Sequence, residues 1–208
     1  MPTTKQEKES GWLSVTEVLD AFIPKGLLAW YLKTGAKEAK RLGTVAMKIG
    51  SRVDELIQAD INGTKPKFYP KANEIEVANC MDAWHKFKQD YDPIIEACQI
   101  EVKSEEQKLV GHIDLIMDGR VVDIKCASSI KQNYWLQVAK YLDMKNMTEL
   151  VDSTAILRLD KNLGTYQFMV DTQAKIDNKK CVEVFDGLLT AYRFYNPPTE
   201  EKEEICQT

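Results

Sequence analysis

The sequence predicts an α/β fold: a mixed β-sheet flanked by helices, with a helical N-terminal region in front of it. Three observations carry this reading. Residues 109–147 read strand, two-residue turn, strand, loop, helix. Residues 38–61 repeat apolar side chains at helical spacing. Residues 154–195 give a second hairpin followed by a helix. At 208 residues, with 44% hydrophobic and 29% charged content, the chain suits one soluble domain with a real core.

Taken in order, residues 1–13 are polar and charged and are expected to be a disordered tail. Residues 14–92 are expected to form the helical region. Ser14-Val15-Thr16-Glu17 has the form of a capping box and starts a short helix that ends before Pro24. A second short helix follows at about residues 26–33. Its Trp30 and Tyr31 suit either a core or the stacking of single-stranded bases. In residues 38–61, Leu42, Val45, Ile49, Val53 and Leu56 form the buried stripe of one long helix. Lys37, Lys40, Arg41, Lys48 and Arg52 lie on or near it, as a solvated face or as a basic face for phosphates. Residues 72–91 read as another helix, stopped by Pro93.

Residues 93–196 are expected to form the sheet-bearing core. Residues 94–103 read as a strand that pairs, through a polar turn, with an apolar strand over 109–117. Asp118-Gly119 is a hairpin signal, and residues 121–126 return. Residues 131–147 read as a helix. Residues 154–159 and 165–170 form the second hairpin, and Asp171 or Thr172 is expected to cap a last helix reaching about Tyr195. Residues 197–208 are expected to be an acidic, disordered tail.

Composition excludes some classes. A sequence pI near 5.4 is not that of a strongly basic nucleic-acid binder, although basic residues can cluster locally. No stretch has the length of a membrane span, and the N-terminus is not a signal peptide. The five cysteines, Cys80, Cys98, Cys126, Cys181 and Cys206, are odd in number, widely spaced and without a C-x-x-C. They read as reduced thiols of a cytoplasmic protein.

The candidate site lies between Gly111 and Tyr141. Asp114 interrupts an apolar strand. Asp123 and Lys125 are two apart on the next strand, so their side chains leave one face. Gln137 and Tyr141 are four apart on the following helix and face one way. Two carboxylates and an ammonium in apolar strands are costly to bury unless they pair or hold a metal. The plain alternative is a structural Asp–Lys ion pair at a sheet edge, with helix packing for the other two.

The pattern is G-x-x-D, a short gap, D-x-K, then Q-x-x-x-Y, at Gly111/Asp114, Asp123/Lys125 and Gln137/Tyr141. In it the chain resembles the PD-(D/E)XK nucleases, and among them the RecB-type branch that includes phage recombination exonucleases and the mitochondrial genome maintenance exonuclease. D-x-K alone is unspecific; the three parts in order on strand, strand and helix are much more so. The resemblance runs from about Ser14 to Tyr195, with the flanks matching in element order more than in residues.

The resemblance implies a restriction-endonuclease-like core and a Mg²⁺- or Mn²⁺-dependent deoxyribonuclease, exonuclease rather than endonuclease, acting in DNA recombination, repair or processing. It implies that Asp114, Asp123 and the Ile124 carbonyl hold metal, that Lys125 holds or deprotonates the attacking water, and that Gln137 and Tyr141 assist at the DNA. Glu101 is then either a third metal carboxylate or a solvent-facing strand residue. From the residues themselves, Lys131 and Gln132, near a helix start whose N–H groups favour a phosphate, Arg52 on the basic or solvated face, and Trp30 are the candidate DNA contacts. The branch's helical motif G-x-x-x-H reads Gly50-Ser51-Arg52-Val53-Asp54 here, so Asp54 stands in the place of a histidine ligand, as a metal oxygen or as a helix-surface charge. The downstream cysteines do not make the set that holds an iron–sulfur cluster in some relatives, so none is expected. The alternative function is a catalytically weakened nuclease-fold subunit that binds nucleic acid or assembles with other proteins. Intact Asp114, Asp123 and Lys125 favour the enzyme.

Overall fold

The structure is a computed structural model that describes residues 11–66, 73–145 and 151–197. The two expected tails fall largely outside these residues, as do the first residue of the helix expected from residue 72 and the last two of that expected over 131–147.

A short strand, β1 (Leu13–Ser14), leads into α1 (Val15–Asp20). Ser14 Oγ accepts the Glu17 N–H at 3.0 Å, the N-cap bond that the capping-box sequence predicts. Then come α2 (Lys25–Thr34), α3 (Ala36–Ile61) and α4 (Glu74–Tyr91), followed by β2 (Ile95–Ser104), β3 (Leu109–Met117) and β4 (Arg120–Lys125). Asp118 and Gly119 turn β3 into β4 with φ of 48° and 67°. Positive φ at both central residues is what a two-residue turn of type I′ requires. The chain continues through α5 (Gln132–Met144), β5 (Ser153–Leu159), β6 (Tyr166–Val170), α6 (Asp171–Ala174) and α7 (Asn178–Tyr195).

The six strands form one mixed sheet with helices on both faces. β2–β3, β3–β4 and β5–β6 are antiparallel; β1–β3 and β4–β5 are parallel. Two cores result. On one face Val15, Val18, Trp135, Val138, Phe185 and Leu189 from α1, α5 and α7 pack on Ile113, Ile116, Val121 and Ile156. On the other, Ile49, Val53, Trp84 and Phe87 from α3 and α4 pack on Leu115, Val122, Leu157 and Leu159. β5 shows the strand rule directly: Ala155, Leu157 and Leu159 enter one core and Ile156 the other.

Two features of the sheet create the site. β2 runs along one edge of β3 from Leu109 to Met117. The other edge of β3 is shared: β4 pairs only with Leu115–Met117, and β1 only with Leu109 and Val110. Gly111 to Asp114 therefore face a gap between two partner strands. In addition, the alternation of faces breaks at Asp114. Ile113 belongs to one core and Leu115 to the other, and Gln99, opposite Asp114 in β2, has φ 53°.

The structure differs from the sequence reading at three places. β1 was not expected; two residues are too few for a strand signal, and the parallel partner is far along the chain. The last helix is not capped by Asp171: α6 stops at Lys175, φ 55°, and α7 starts one turn later with Asp177 Oδ1 accepting the Lys180 N–H at 3.1 Å. Trp30 and Tyr31 are not core, because α2 buries no residue at all.

Candidate functional site

The gap beside β3 opens into a cavity of about 580 Å³, lined from β3, β4, α1, α3 and α5. Asp114, Asp123, Lys125, Gln137, Tyr141 and Asp54 all line it, with the Ile124 backbone between the two β4 side chains.

The backbone and the carboxylates are arranged together. Where the β3–β4 ladder ends, the next free N–H of β4, that of Ile124, donates to Asp114 Oδ2 at 2.8 Å. Asp114 thus satisfies a backbone donor that strand divergence would leave open. Asp123 Oδ1 accepts from Lys125 Nζ at 2.8 Å and from Gln137 Nε2 at 3.0 Å. Gln137 Nε2 also donates to the Tyr141 hydroxyl at 3.0 Å, and Gln137 Oε1 accepts from Lys125 at 3.2 Å. Both amide protons of Gln137 are therefore committed, while Lys125 has used two of three. The Lys125 ammonium also lies 5.2 Å from the Tyr134 ring centroid.

Gly111 has a packing reason. A Cβ there would sit 2.7 Å from Tyr141 Cδ1, closer than any side chain tolerates. Only glycine lets the Tyr141 ring lie against β3 with its hydroxyl in the network.

Electrostatics at the cavity are unbalanced. Burial raises Asp123 to about 7 against the opposing pull of Lys125, and the Asp114 charge adds to the rise. Burial likewise raises Asp114. Burial, then Asp114, raises Asp54 to about 6. Burial alone would lower Lys125, but Asp123 and Asp114 outweigh it and hold the ammonium protonated well above its usual range. Among the described residues, the one Lys or Arg that lines the cavity, Lys125, is thus set against four carboxylates, Asp20, Asp54, Asp114 and Asp123.

Asp123 Oδ2 is buried with no hydrogen-bond partner among the described residues. A hard divalent cation fits that donor set, because it takes oxygen ligands and supplies the missing positive charge. No three His, Cys, Asp or Glu side chains among the described residues converge on one point. The cavity instead brings the Asp114 and Asp123 carboxylates and the Ile124 backbone together, oxygens that could hold an ion that keeps several waters.

Other sequence-based expectations fall differently. Asp54 faces the cavity, but both its oxygens are held by amides: Oδ2 by Gln58 at 3.0 Å and Oδ1 by Gln99 at 2.8 Å. Glu101 does not line the cavity. It pairs across the ladder with His112, and its carboxylate meets Lys103 at 3.1 Å and His112 at 3.6 Å. Gln99, two residues earlier and opposite Asp114, takes the position on β2 nearest the carboxylates. Arg52 is bound to Glu55 at 3.0 Å, and neither it nor Lys131, Gln132 or Trp30 lines the cavity. Lys131 is the exposed N-cap residue of α5, and Gln132 is exposed beside it. Sequence reasoning missed Gln99, Gln58 and Tyr134. Nothing in a lone Gln or Tyr marks it, but the i, i+4 spacing of Asp54 and Gln58 was a readable signal.

No family model matches the chain, and no curated protein does. Solved structures do. The chain is similar to an alkaline exonuclease (LHK-Exo) from Laribacter hongkongensis, with 13% identity and TM-score 0.46, over 99% of this chain and 100% of that one. It is similar to LHK-Exo in complex with dAMP at 13% identity and TM-score 0.45, with the same coverage. Among the described residues no helix is long and apolar enough to cross a membrane.

Proposed function

We propose that the chain is a divalent-metal-dependent deoxyribonuclease that hydrolyses phosphodiester bonds from a DNA end, in recombination, repair or processing. The observation that carries the proposal is the convergence of Asp114, Asp123, Lys125, Gln137 and Tyr141 on one cavity, with a buried Asp123 oxygen left without a partner. The preference for DNA and for an end comes from the RecB-type order of these residues in the sequence.

Asp114, Asp123 and the Ile124 carbonyl would hold Mg²⁺ or Mn²⁺, which when bound polarises the scissile phosphate and acidifies water. Lys125 stays an ammonium in this setting. Its third proton points its chemistry at donation: it orients the attacking water and offsets negative charge as it grows on the phosphate. Gln137 fixes Lys125 and Asp123 relative to each other and anchors Tyr141. The Tyr141 hydroxyl accepts from Gln137 and keeps its own proton for a phosphate oxygen. Asp54, held by two amides, adds negative charge beside Asp114 and so strengthens the site's attraction for a cation.

The test is release of nucleotide from end-labelled linear DNA, beside a covalently closed circle, with Mg²⁺, Mn²⁺ or excess chelator. Release from linear DNA that stops with chelator supports the proposal. Equal cleavage of the circle removes the end requirement, and full activity in chelator removes the metal.

A further inference from the structure

The hydrolytic site leaves unused a surface that is both basic and apolar, carried by residues 21–53. Residues 21–53 hold seven of the chain's 28 Lys and Arg residues but one of its 32 Asp and Glu residues, in a chain of net charge −4. Arg41 is neutralised by Glu38 at 2.7 Å and Arg52 by Glu55 at 3.0 Å. Lys25, Lys33, Lys37, Lys40 and Lys48 are all exposed, and none forms an ion pair with a described residue. In the same segment α2 buries nothing, although it carries Leu28 at 49%, Trp30 at 38% and Leu32 at 78% exposure. Exposed aromatic and aliphatic groups are costly to leave in water, and here they are interleaved with hydrated ammoniums that have no ion-pair partner among the described residues.

This surface is continuous with the cavity. Met47, Ser51, Asp54 and Gln58 of α3 line it. Lys40 precedes Met47 by two turns, so Lys40, Met47, Ser51, Asp54 and Gln58 lie on one helical stripe. From Asp54 to Lys40 that stripe runs about 21 Å at the rise of an α-helix. Lys37 and Lys48 flank it, and α2 packs against α3 beside it.

We infer that the outer face of α2 and α3 is a track for single-stranded nucleic acid leading into the cavity, with phosphates on Lys33, Lys37, Lys40 and Lys48 and bases on Trp30 and its apolar neighbours. A single strand is the one polyanion that offers both phosphates and unpaired base faces. A duplex hides its base faces and would leave Trp30 and Leu32 without a partner. The direction of the track rests on the hydrolytic reading of the cavity; the binding surface itself does not.

The experiment uses the full chain in chelator, where nothing is cut, and reads the anisotropy of labelled oligo-dT of about 20 nucleotides and of a duplex of equal length. Single strand should bind at least about tenfold tighter than duplex. Lys37→Glu with Lys40→Glu should weaken it by about tenfold or more and flatten its salt dependence. Trp30→Ala should weaken it about fivefold or more. With Mg²⁺ or Mn²⁺, the double lysine variant should still cleave bis(p-nitrophenyl) phosphate as the wild type does, because that ester is too small to reach the track. If the double variant fails to fold, Lys33→Glu with Lys48→Glu reads the same surface. Duplex bound as tightly as single strand overturns the inference. So does binding to anionic phospholipid vesicles without binding to oligo-dT, or a dimer that Trp30→Ala dissociates. A wild type that binds oligo-dT as described but cleaves neither ester nor DNA leaves the track standing and removes the hydrolase instead.

Discussion

Asp123 has one oxygen shared by Lys125 and Gln137 and the other, buried, met by nothing in the described chain. Its carboxyl is raised to about 7, and that of Asp54 to about 6, both first by burial. The sign of the linkage follows. A folded-state value above the unfolded one means that the folded protein binds those protons more tightly. Stability is therefore lost as pH rises from the unfolded carboxylate range through about 6 to 7, and the loss is complete above that. A cation that binds the ionised carboxylates restores it. The thermal midpoint in chelator should fall between about pH 5 and about pH 8, and Mg²⁺ or Mn²⁺ should raise it more at the higher pH. Asp123→Asn should flatten both effects. A midpoint indifferent to pH and to cation would show that these carboxylates are balanced by the chain itself. At this scale the sequence was informative: Asp114, Asp123, Lys125, Gln137 and Tyr141 were readable because strand and helix spacing puts them on facing surfaces. Between its two readings, a metal carboxylate or a solvent-facing residue, Glu101 was not decidable, because a two-residue offset on β2 is invisible without the register, which pairs Glu101 with His112 and leaves Gln99, between Cys98 and Ile100, on the Asp114 side.

Among the elements, β3 and α5 are held at a distance that only glycine at residue 111 permits. Gly111→Ala should cost about 1–3 kcal/mol by overpacking. It should also lower turnover by more than that loss of stability explains, because Tyr141 cannot move without pulling on Gln137. Unfolding in denaturant beside cleavage rate checks this; normal cleavage would show that Tyr141 is only packing. Asp171 is the counterpart far from the site. Read from the sequence as a helix cap, it is buried and accepts from Thr154 N at 2.9 Å, Ser153 Oγ at 2.9 Å and Asn178 Nδ2 at 2.6 Å. Asp171→Ala leaves the buried Thr154 N–H without its acceptor and should cost about 1–3 kcal/mol with catalysis unchanged in the folded protein. Asp171-Thr172 at the boundary of a strand and a helix gave a capping signal, but the Asp171 carboxylate reaches sideways to Ser153 and Thr154 of the sheet. The long helices were legible from their stripes. β1 was not, because its pairing with β3 depends on residues nearly a hundred positions away.

For the molecule as a whole, the α/β architecture was legible because hairpins and amphipathic helices alternate along the chain. What was not legible is the fork in the sheet: β1 and β4 share one edge of β3 and leave Gly111 to Asp114 open. That opening is what turns five polar residues from buried liabilities into the lining of one cavity. The claim that the cavity hydrolyses nucleic acid is tested most directly at Lys125, which touches Asp123, Gln137 and the open space at once. Its proposed role is exercised mainly in the transition state, so its loss should lower turnover more than affinity. The measurement is cleavage rate and DNA affinity on one preparation of Lys125→Ala, beside wild type, with Mg²⁺ or Mn²⁺. Cleavage should fall at least about a hundredfold while affinity stays within a few-fold. Lys125→Arg should not restore it, because a guanidinium is bulkier and presents a different donor geometry. A variant that cleaves DNA like the wild type would reduce Lys125 to a structural partner of Asp123 and contradict the account.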